Sequence, residues 1–299
     1  MALTKRQEIV NLISHELKTP TVPILGYCEM LLNPKFGSLN SDQIDAVNEI
    51  MNNIKHMEDF LDEIIFQEKE QSQNDSLQIL PKGLKTPLVP ILGYCEMLVN
   101  SKLGSLSTDQ NEAVKEIQQN TIQLNHLIFD FWNAQQLDLG KMKYFYEDVN
   151  VNELIKHLER DLSNLIIGKN IEFSKLIESE IHITTDESKL FEIFKNLIEN
   201  SSNFVPEIGG KIQISVKPDD SFVQFSVEDN GSGIAKEKMN LLFKKFHQID
   251  TSHRRVHSGG GLGLTICKGY IEDMGGKIWA KSEIDIGTTF FFTLPKNQG

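Results

Sequence analysis

Hydrophobic residues recur in steps of three and four along the first part of the chain. The first series comprises Val10, Ile13, Leu17, Pro20, Ile24, Tyr27 and Leu31, and the second comprises Val47, Ile50, Ile54, Met57, Leu61 and Ile64. This spacing is typical of the buried seam of a bundle or coiled-coil helix. The segment from Asn33 to Ser38 interrupts it, and Ser41 or Asp42 can cap the next helix. We therefore predict a first helix over about 4–33, followed by a second that packs against it as an antiparallel hairpin.

The hairpin is repeated. Residues 84–100 repeat residues 17–33 at an offset of 67, with 15 of 17 positions identical, and the turn Gly-Ser-Leu recurs at the same offset. The second seam maps onto Val114, Ile117, Thr121, Leu124, Ile128 and Phe131. A polar stretch reads as a linker between the copies. We predict one hairpin over 4–70, a linker over 71–76 and a duplicate hairpin over 77–140, the four helices forming one bundle.

The pattern changes after residue 140, where short alternating runs mix with helical ones. We expect strands over Tyr144–Glu147, Ile181–Thr184, Lys211–Val216, Phe222–Val227, Lys277–Lys281 and Thr288–Leu294. We expect helices over Val151–Leu165, Glu187–Asn203, near Lys236–Phe246, and over Leu262–Met274. This order predicts an α+β sandwich over 141–299, with one sheet covered by helices on a single face.

Composition narrows the class of partner. The chain of 299 residues has a formal net charge of −12, which argues against nonspecific binding to nucleic acid or to an anionic membrane. It contains neither an apolar run long enough to span a bilayer nor an apolar signal core at its start, so we expect a cytoplasmic protein. Cys28, Cys95 and Cys267 lack metal-ligand spacing, and we expect reduced, packed thiols.

One candidate reactive group lies on the first helix, in the stretch Ser14-His15-Glu16-Leu17-Lys18-Thr19-Pro20. His15 falls on the face opposite the seam, where an imidazole is solvated and titrates near neutral pH. A single histidine of this kind is usually an ordinary surface residue. Here Pro20 and Pro23 also bend the helix beside it. The duplicate has Pro81-Lys82-Gly83 in place of Ser14-His15-Glu16, so it keeps the packing pattern and lacks the histidine.

Three further features point to a nucleotide. Asn196 and Asn200 are one helical turn apart, and carboxamide oxygens suit Mg²⁺ together with phosphates. The carboxylate of Asp229, at the head of Asp229–Gly233, can accept an N–H of adenine. The stretch Gly259–Leu264 opens a helix whose amides can cradle phosphate. Taken singly, each feature also fits a structural explanation: a solvated helix face, a tight turn or a glycine-rich loop.

In combination and in this order, these motifs resemble those of sensor histidine kinases. The stretch His15–Pro20 is similar to the phosphoacceptor box of that family. The remaining matches are to the N box (Asn196–Phe204), the first glycine box (Asp229–Gly233), the F box (Leu242–Phe246), the second glycine box (Gly259–Leu264) and the last glycine-threonine element (Gly287–Phe290). The resemblance implies a catalytic domain of the GHKL or Bergerat type, the ATP-binding α/β sandwich shared with gyrase and Hsp90.

The resemblance also implies roles for single residues. His15 takes the γ-phosphoryl group of ATP, Glu16 fixes its tautomer and helps take its proton, and Thr19 orients water for dephosphorylating a regulator. Asn200 ligates Mg²⁺ with support from Asn196, and Asp229 reads adenine. The ATP lid would span Ile234–Ser258. The implied cofactor-binding residues are Asn196, Asn200, Asn203, Phe204, Asp229, Gly231, Gly233, Ile234, Phe246, Arg254, Arg255, Gly259, Gly261, Leu262, Gly263, Leu264 and Thr288.

Three positions depart from the family pattern. Asn203 stands where the family commonly has a basic residue near the phosphates, Asp285 occupies the first glycine position of the last element, and Lys189 replaces a frequent arginine. None of these departures removes the implied metal or adenine contact. We therefore expect an active but slow enzyme.

We predict ATP- and Mg²⁺-dependent autophosphorylation of His15, followed by transfer to an aspartate of a response regulator receiver domain, with regulator dephosphorylation as a further activity. Two alternatives are a scaffold or pseudokinase, and an ATP-driven conformational machine of the gyrase or Hsp90 kind. The intact histidine box and both asparagines argue against the first, and the phosphoacceptor hairpin argues against the second. Because one chain carries both hairpins, we predict a monomeric pseudo-dimer, with a homodimer as the alternative.

Overall fold

The computed structural model describes residues 13–69, 76–177, 179–245, 247 and 261–297, without the side chains of 67–69 and 76–82. The chain divides into two compact units, Met1–Trp132 and Asn133–Gly299. Among the described helices, none combines the length and the apolar composition that a membrane crossing requires.

The first unit is helical. After a helical stretch at 13–18 come α1 (Thr21–Leu32), a 3₁₀ turn (Pro34–Phe36), α2 (Ser41–Lys69), α3 (Ser76–Val99) and α4 (Thr108–Asp138), which continues past Trp132. The first predicted helix is thus interrupted by a turn at Thr19 and Pro20, where proline lacks an N–H, although proline alone does not cause the break. The equivalent Pro87 lies inside a continuous α3.

The predicted seams form the core of this unit, with one exception. Every described hydrophobic seam position of α2 and α4 is buried. In α1 the buried positions are Thr21, Ile24, Cys28 and Leu31. Tyr27, predicted as a seam residue, is only half-buried, and Cys28 takes the core position one residue later. The three cysteines are free and buried, as predicted.

The second and fourth helices begin with matching caps. Asn40 and Gln43 exchange hydrogen bonds between backbone N–H and side-chain oxygen at 3.0 and 2.9 Å. Ser107 and Gln110 do the same at 3.0 and 3.2 Å. These reciprocal pairs are capping boxes, which satisfy backbone donors that the first helical turn leaves unpaired. The cap of α2 is therefore Asn40, not Ser41 or Asp42 as predicted.

The second unit combines two sheets with helices. Its elements are β1 (Glu147–Asn150), α5 (Val151–Asp161), α6 (Ser163–Gly168), β2 (Glu172–Ile177), β3 (His182–Thr185), α7 (Glu187–Ser202), β4 (Lys211–Pro218), β5 (Phe222–Asp229), a 3₁₀ helix (Lys236–Leu241), α8 (Gly263–Asp273), β6 (Lys277–Glu283) and β7 (Gly287–Pro295). The order in the five-stranded sheet is β2-β4-β5-β7-β6, and β1 pairs with β3. Only β2 and β4 run parallel among these pairs.

One face of the larger sheet is buried against α7 and α8. Alternate residues of β4, β5 and β7 are buried, as expected for strands with one covered face. At the centre, the ring of Phe194 on α7 lies 5.6 Å from that of Phe225 and 5.3 Å from that of Phe292. The prediction of an α+β sandwich with helices on one face is confirmed.

Several predicted bounds were wrong. The first strand begins at Glu147 and not at Tyr144. The helix predicted over Val151–Leu165 is divided at Leu162 into α5 and α6. Strand β2 was not predicted, because at the sheet edge its partly exposed residues show no regular alternation. The helix predicted near Lys236–Phe246 is a short 3₁₀ helix that ends at Leu241.

Candidate functional site

The imidazole of His15 is 76% exposed. Ile13 and Leu17, on either side in sequence, are buried in the core of the first unit. The predicted placement on the solvated face is therefore what the structure has. Nδ1 lies 3.6 Å from Oε1 of Glu16, longer than a hydrogen bond but within ion-pair range. Because Nδ1 faces the carboxylate, Nε2 is the ring nitrogen left for an incoming electrophile.

Side chains around His15 tie its helical turn to α2. The hydroxyl of Thr19 donates to the carbonyl of His15 at 2.9 Å. The hydroxyl oxygen of Thr21 lies 2.8 Å from the carbonyl oxygen of Lys18 and 2.5 Å from a carboxylate oxygen of Glu58, so its one proton is shared between two acceptors. Lys18 also pairs with Asp62 of α2 at 2.5 Å. These bonds satisfy backbone carbonyls at the break near Pro20 and hold the histidine-bearing turn against its neighbour.

Asp229 ends β5 as a buried carboxylate in the second unit. One oxygen accepts from the hydroxyl of Ser201 at 2.9 Å, and the other accepts from the amides of Gly231 at 2.9 Å and Thr288 at 3.2 Å. Burial raises the pKa of Asp229, while these three bonds act in the opposite direction. A carboxylate has about four acceptor positions, so one remains for a further donor.

The backbone around Asp229 is packed too closely for side chains. A Cβ on Gly231 would lie 2.8 Å from an oxygen of Asp229 and equally close to the carbonyl of Phe204. Gly233, at φ +68°, would place a Cβ 2.0 Å from the carbonyl of Glu283. The next residue, Ile234, donates its amide to the hydroxyl of Ser282 at 2.8 Å. The glycines therefore let two loops meet at the buried carboxylate.

The two asparagines lie one turn apart on α7, both half-buried. A Cβ on Gly263 would lie 3.5 Å from Oδ1 of Asn196, so the start of α8 is beside that side chain. Gly261 adopts φ +64°, and α8 begins after Leu262 without a side-chain cap. Leu262 is buried and Leu264 half-buried. The first-turn amides of α8 therefore lie near Asn196 and receive no side-chain cap, while Gly259 and Gly260 of the predicted phosphate cradle lie outside the described residues.

Asn203, one of the three positions that depart from the family pattern, contacts a residue that the sequence did not indicate. The ammonium of Lys169, between α6 and β2, donates to Oδ1 of Asn203 at 2.8 Å and to the carbonyl of Ser202 at 2.9 Å. Burial lowers the pKa of Lys169. No local pattern marks Lys169, because it is 34 residues away in sequence. A positive charge therefore lies next to the position where the family commonly has one.

The other two departures have structural explanations. Lys189 pairs with Glu192 at 3.1 Å and lies over the ring of Tyr270, 4.5 Å from its centroid. It therefore belongs to a packed polar cluster between α7 and α8. Asp285 adopts φ +61°, the left-handed conformation that favours glycine and that aspartate tolerates better than most residues. Its amide donates to the carbonyl of Ser232 at 2.9 Å, which joins the loop to the first glycine box.

Four predicted site residues lie outside the described residues: Phe246, Arg254 and Arg255 of the predicted lid, and Gly259 of the second glycine box. At its start, Leu242 is buried, and Lys245 forms an ion pair with Asp138. Phe204 is partly exposed, and its carbonyl accepts the amide of Ser232 at 3.2 Å. The structure therefore brings together Ser201, Asp229, Gly231 and Thr288, with Asn196 beside α8.

Comparisons with known proteins agree with this arrangement. The family described as "His Kinase A (phospho-acceptor) domain" matches residues 5–73 and again residues 77–140. The family described as "Histidine kinase-, DNA gyrase B-, and HSP90-like ATPase" matches residues 185–298. The first therefore matches both hairpins, and the second matches the part of the chain that contains Asp229.

Curated relatives include hybrid signal transduction histidine kinase B of Dictyostelium discoideum, 31% identical over 71% of this chain and 11% of that protein. Autoinducer 2 sensor kinase/phosphatase LuxQ of Vibrio vulnificus is 29% identical over 78% of this chain and 28% of that protein. The chain thus spans well under half of these relatives.

Among solved structures, full-length ShkA in complex with AMPPNP matches with a TM-score of 0.63 and 26% identity, over 74% of this chain and 45% of that one. The histidine kinase AdeS of Acinetobacter baumannii shares the fold, with a TM-score of 0.54 and 18% identity over 71% of this chain and 96% of that one. With both phosphoacceptor matches preceding the ATPase match, the chain belongs to the sensor histidine kinases.

Proposed function

We propose that this chain is the kinase core of a two-component system, which phosphorylates His15 with ATP and passes the phosphoryl group to an aspartate of a response regulator. The observation that carries the proposal is the presence, in one chain, of an exposed imidazole next to a carboxylate and of a buried aspartate with a free acceptor position.

The residues around Asp229 fit an adenine nucleotide. The free acceptor position of the carboxylate takes the exocyclic N–H of adenine, and the amides at the start of α8 receive the phosphates. Asn200, supported by Asn196, supplies a neutral oxygen of the kind that Mg²⁺ accepts alongside phosphate oxygens and water. Bound Mg²⁺ would neutralise charge developing on the phosphates. Among the described residues there is no group of three or more His, Cys, Asp or Glu side chains that could hold a metal.

Lys169 and Asn203 act together near the phosphates in this proposal. Because the ammonium holds Oδ1 of Asn203, the Nδ2 hydrogens of that amide are the groups left to face a ligand. The pair then presents a donor next to a half-buried positive charge. This arrangement replaces, at least in part, the basic residue that the family commonly has at this position.

The chemical step uses the two side chains of the histidine box. Nε2 of His15 attacks the γ-phosphorus in line, the new bond is N–P, and the bond from the γ-phosphorus to the bridging oxygen breaks to release ADP. The Nδ1 proton passes toward the carboxylate of Glu16, which closes from 3.6 Å to hydrogen-bond distance. Catalysis is otherwise positioning and electrostatic stabilisation. Thr19 orients water when a phosphorylated regulator is hydrolysed.

We also propose that the chain is a monomeric pseudo-dimer, organised as hairpins 4–70 and 77–140, a linker at 71–76 and a catalytic domain at 141–299. Contacts between the hairpins support it. A Cβ on Gly37 would lie 2.9 Å from Nε2 of Gln110, and one on Gly104 would lie 3.4 Å from Nε2 of Gln43. Gly104 and Gln110 are the residues that the repeat offset of 67 makes equivalent to Gly37 and Gln43, so the two contacts are equivalent. Such reciprocity characterises a two-fold interface.

Further hydrogen bonds join the two hairpins. Nδ2 of Asn40 donates to the carbonyl of Leu103 at 2.8 Å, and Nε2 of Gln43 donates to that of Ser105 at 3.2 Å. In the core, burial and then the nearby Cys28 raise the pKa of Cys95 to about 12. Cys28 and Cys95 are equivalent residues, so they lie close to a common pseudo-two-fold axis. One chain thereby supplies both halves of a bundle that otherwise needs two.

Incubation with γ-labelled ATP and Mg²⁺ tests the activity. We expect label that is labile in acid and stable in base, as a phosphohistidine is. Omitting Mg²⁺ should remove the label while leaving some nucleotide binding. Binding of ATP without any acid-labile label would instead favour a scaffold or a conformational ATPase.

Light scattering over a concentration series tests the pseudo-dimer. We expect a mass near 34.0 kDa throughout, and a labelling rate per molecule that does not change on dilution. A stable mass of about twice that value at low micromolar concentration would show a homodimer.

A further inference from the structure

A groove opens beside the degenerate repeat in the first unit. It has a volume of about 770 Å³ and lies between α2 and the first part of α3. Residues of α2 line one wall: Asn53, His56 and Phe60. Residues of α3 line the other: Gly83, Lys85, Thr86, Pro87, Val89 and Pro90. The groove begins at Gly83, next to position 82, where the duplicate has lysine in place of the phosphoacceptor histidine.

The α3 wall repeats the surface around His15. Lys85, Thr86 and Val89 correspond to Lys18, Thr19 and Val22, with the same residue type at each position. The exposed fractions agree as well, since Val22 is 68% exposed and Val89 is 66% exposed. An exposed valine therefore lies outside the core at the equivalent place of both repeats.

Any protein that takes a phosphoryl group from His15 must contact the exposed residues beside it, because its aspartate has to reach Nε2. Those residues include Lys18, Thr19 and Val22. The groove presents an exposed threonine and an exposed valine at the positions equivalent to Thr19 and Val22, although its helix is continuous and Lys85 is exposed where Lys18 is half-buried and pairs with Asp62. The lysine also suits the acidic surface that a receiver domain brings with its phosphoacceptor aspartate.

We propose that this groove is a second docking site for the receiver domain, which binds there without receiving a phosphoryl group. The inference rests on the proposed function, since it assumes that a receiver is phosphorylated from His15. One chain would then hold two receivers and phosphorylate one. The bound but unphosphorylated receiver stays near His15, which raises its effective concentration for the next transfer.

Calorimetric titration of the intact chain tests the proposal. The probe is a receiver domain that accepts labelled phosphoryl groups from His15, used with its phosphoacceptor aspartate changed to asparagine. We expect two receivers per wild-type chain and one per Val89→Asp chain. Val22→Asp is the matched variant in the other repeat: it should also bind one receiver, but it should slow transfer from His15 at least about tenfold, the effect of roughly 1.4 kcal/mol.

One receiver per wild-type chain, or two per Val89→Asp chain, would overturn the docking site. If the chain alone has twice the monomer mass and the Val89→Asp chain has the monomer mass, the groove binds a second copy of the chain. That outcome would also overturn the receiver docking site. If Val89→Asp fails to fold by circular dichroism, Lys85→Glu takes its place with the same expected loss of one receiver. If His15 transfers to no receiver, the proposed function itself fails, an outcome distinct from transfer with a single bound receiver.

Discussion

The two hairpins of the first unit share their packing and differ in their chemistry. Ile24 and Ile91 are equivalent and fully buried, and so are Cys28 and Cys95. The outer face also agrees, as the exposed valines demonstrate. The second helices of the two hairpins differ at most positions, but the difference that bears on phosphoryl transfer lies at 14–16, where the first hairpin has Ser-His-Glu and the duplicate has Pro-Lys-Gly at 81–83. The fold of a hairpin therefore depends on its seam, while its reactivity depends on a few exposed positions that the seam does not constrain.

One of the two substitutions within the near-identical stretch accompanies a change of backbone. Thr21, just after the break at Pro20, has its hydroxyl within hydrogen-bond distance of both the carbonyl of Lys18 and the carboxylate of Glu58. The equivalent residue is Leu88, which has no hydroxyl and lies within the continuous α3. A threonine side chain gives the backbone an alternative partner to the helical N–H. The break beside His15 and its hydrogen-bonded threonine thus occur together, in the repeat that carries the histidine.

Removing the histidine should have the largest effect. His15→Gln should abolish acid-labile labelling and leave ATP binding intact, because the duplicate has Lys82 at the position that corresponds to His15. Lys82→Gln, the matched change in the duplicate, should keep the wild-type label. Acid-labile label that persists in the His15→Gln chain would contradict the assignment of a single phosphoacceptor.

Core truncation should affect both hairpins alike. Ile24→Ala and Ile91→Ala each remove a fully buried side chain, and each should lower the free energy of unfolding by about 2–5 kcal/mol. Urea unfolding of the intact chain, followed by helical circular dichroism, measures both losses. A volume-conserving change in a core usually costs less than about 1.5 kcal/mol. If the losses of the two variants differ by more than that, the two positions are not packed equivalently.

Replacing the carboxylate of Asp229 by an amide should have a smaller effect than the two changes above. Asp229→Asn should weaken ATP binding about 10- to 100-fold, as an unsatisfied buried group costs about 1–3 kcal/mol. A fluorescent ATP analogue measures this loss, and equal binding by both proteins would exclude contact between Asp229 and adenine. Labelling of His15 should fall at low ATP although the histidine box is intact, which separates phosphoacceptor from nucleotide chemistry.

The Asp229→Asn variant also tests how ATP affinity and stability depend on pH. Burial raises the pKa of Asp229, so this carboxyl takes up its proton at a higher pH than an exposed aspartate, and the protonated group has lost an acceptor. ATP affinity should therefore fall on acidification before ordinary aspartates titrate. The folded chain also binds this proton more tightly than the unfolded chain, so this group's contribution to stability decreases as pH rises through its folded pKa. Asp229→Asn should remove this part of both profiles.

Lys169 should have the smallest effect. Lys169→Met should weaken ATP binding about 3- to 10-fold, since a half-buried charge acts through Asn203 at a cost of roughly 1 kcal/mol. AMP binding should change little, because AMP lacks the outer phosphates. Lys195→Met is the matched control: it removes a lysine of α7 that pairs with Asp161 at 3.1 Å. Equal losses in the two variants would show a general charge effect.

Much of the architecture follows from local patterns. The three-and-four spacing of Val47 to Ile64 predicts a buried helix face because each position repeats within about one turn, whatever the rest of the chain does. The alternation along Phe222–Val227 predicts a strand with one buried face for the same reason. Asp229 and its glycines were also predicted, since the turn that joins them is short.

The sequence by itself determined the two seams, which depend on neighbours within a few residues, and also the repeat, the missing histidine of the duplicate and the order of the nucleotide motifs, which are read directly by comparing segments of the chain. Only the tertiary structure decided which distant groups meet: Lys169 with Asn203, Gly37 with Gln110, and α2 with α3 along the groove. It also decided that the weakly patterned β2 pairs with β4 and that Cys28 displaces Tyr27 from the core. These outcomes depend on how elements pack, and packing is a property of surfaces that residues far apart in the chain create together.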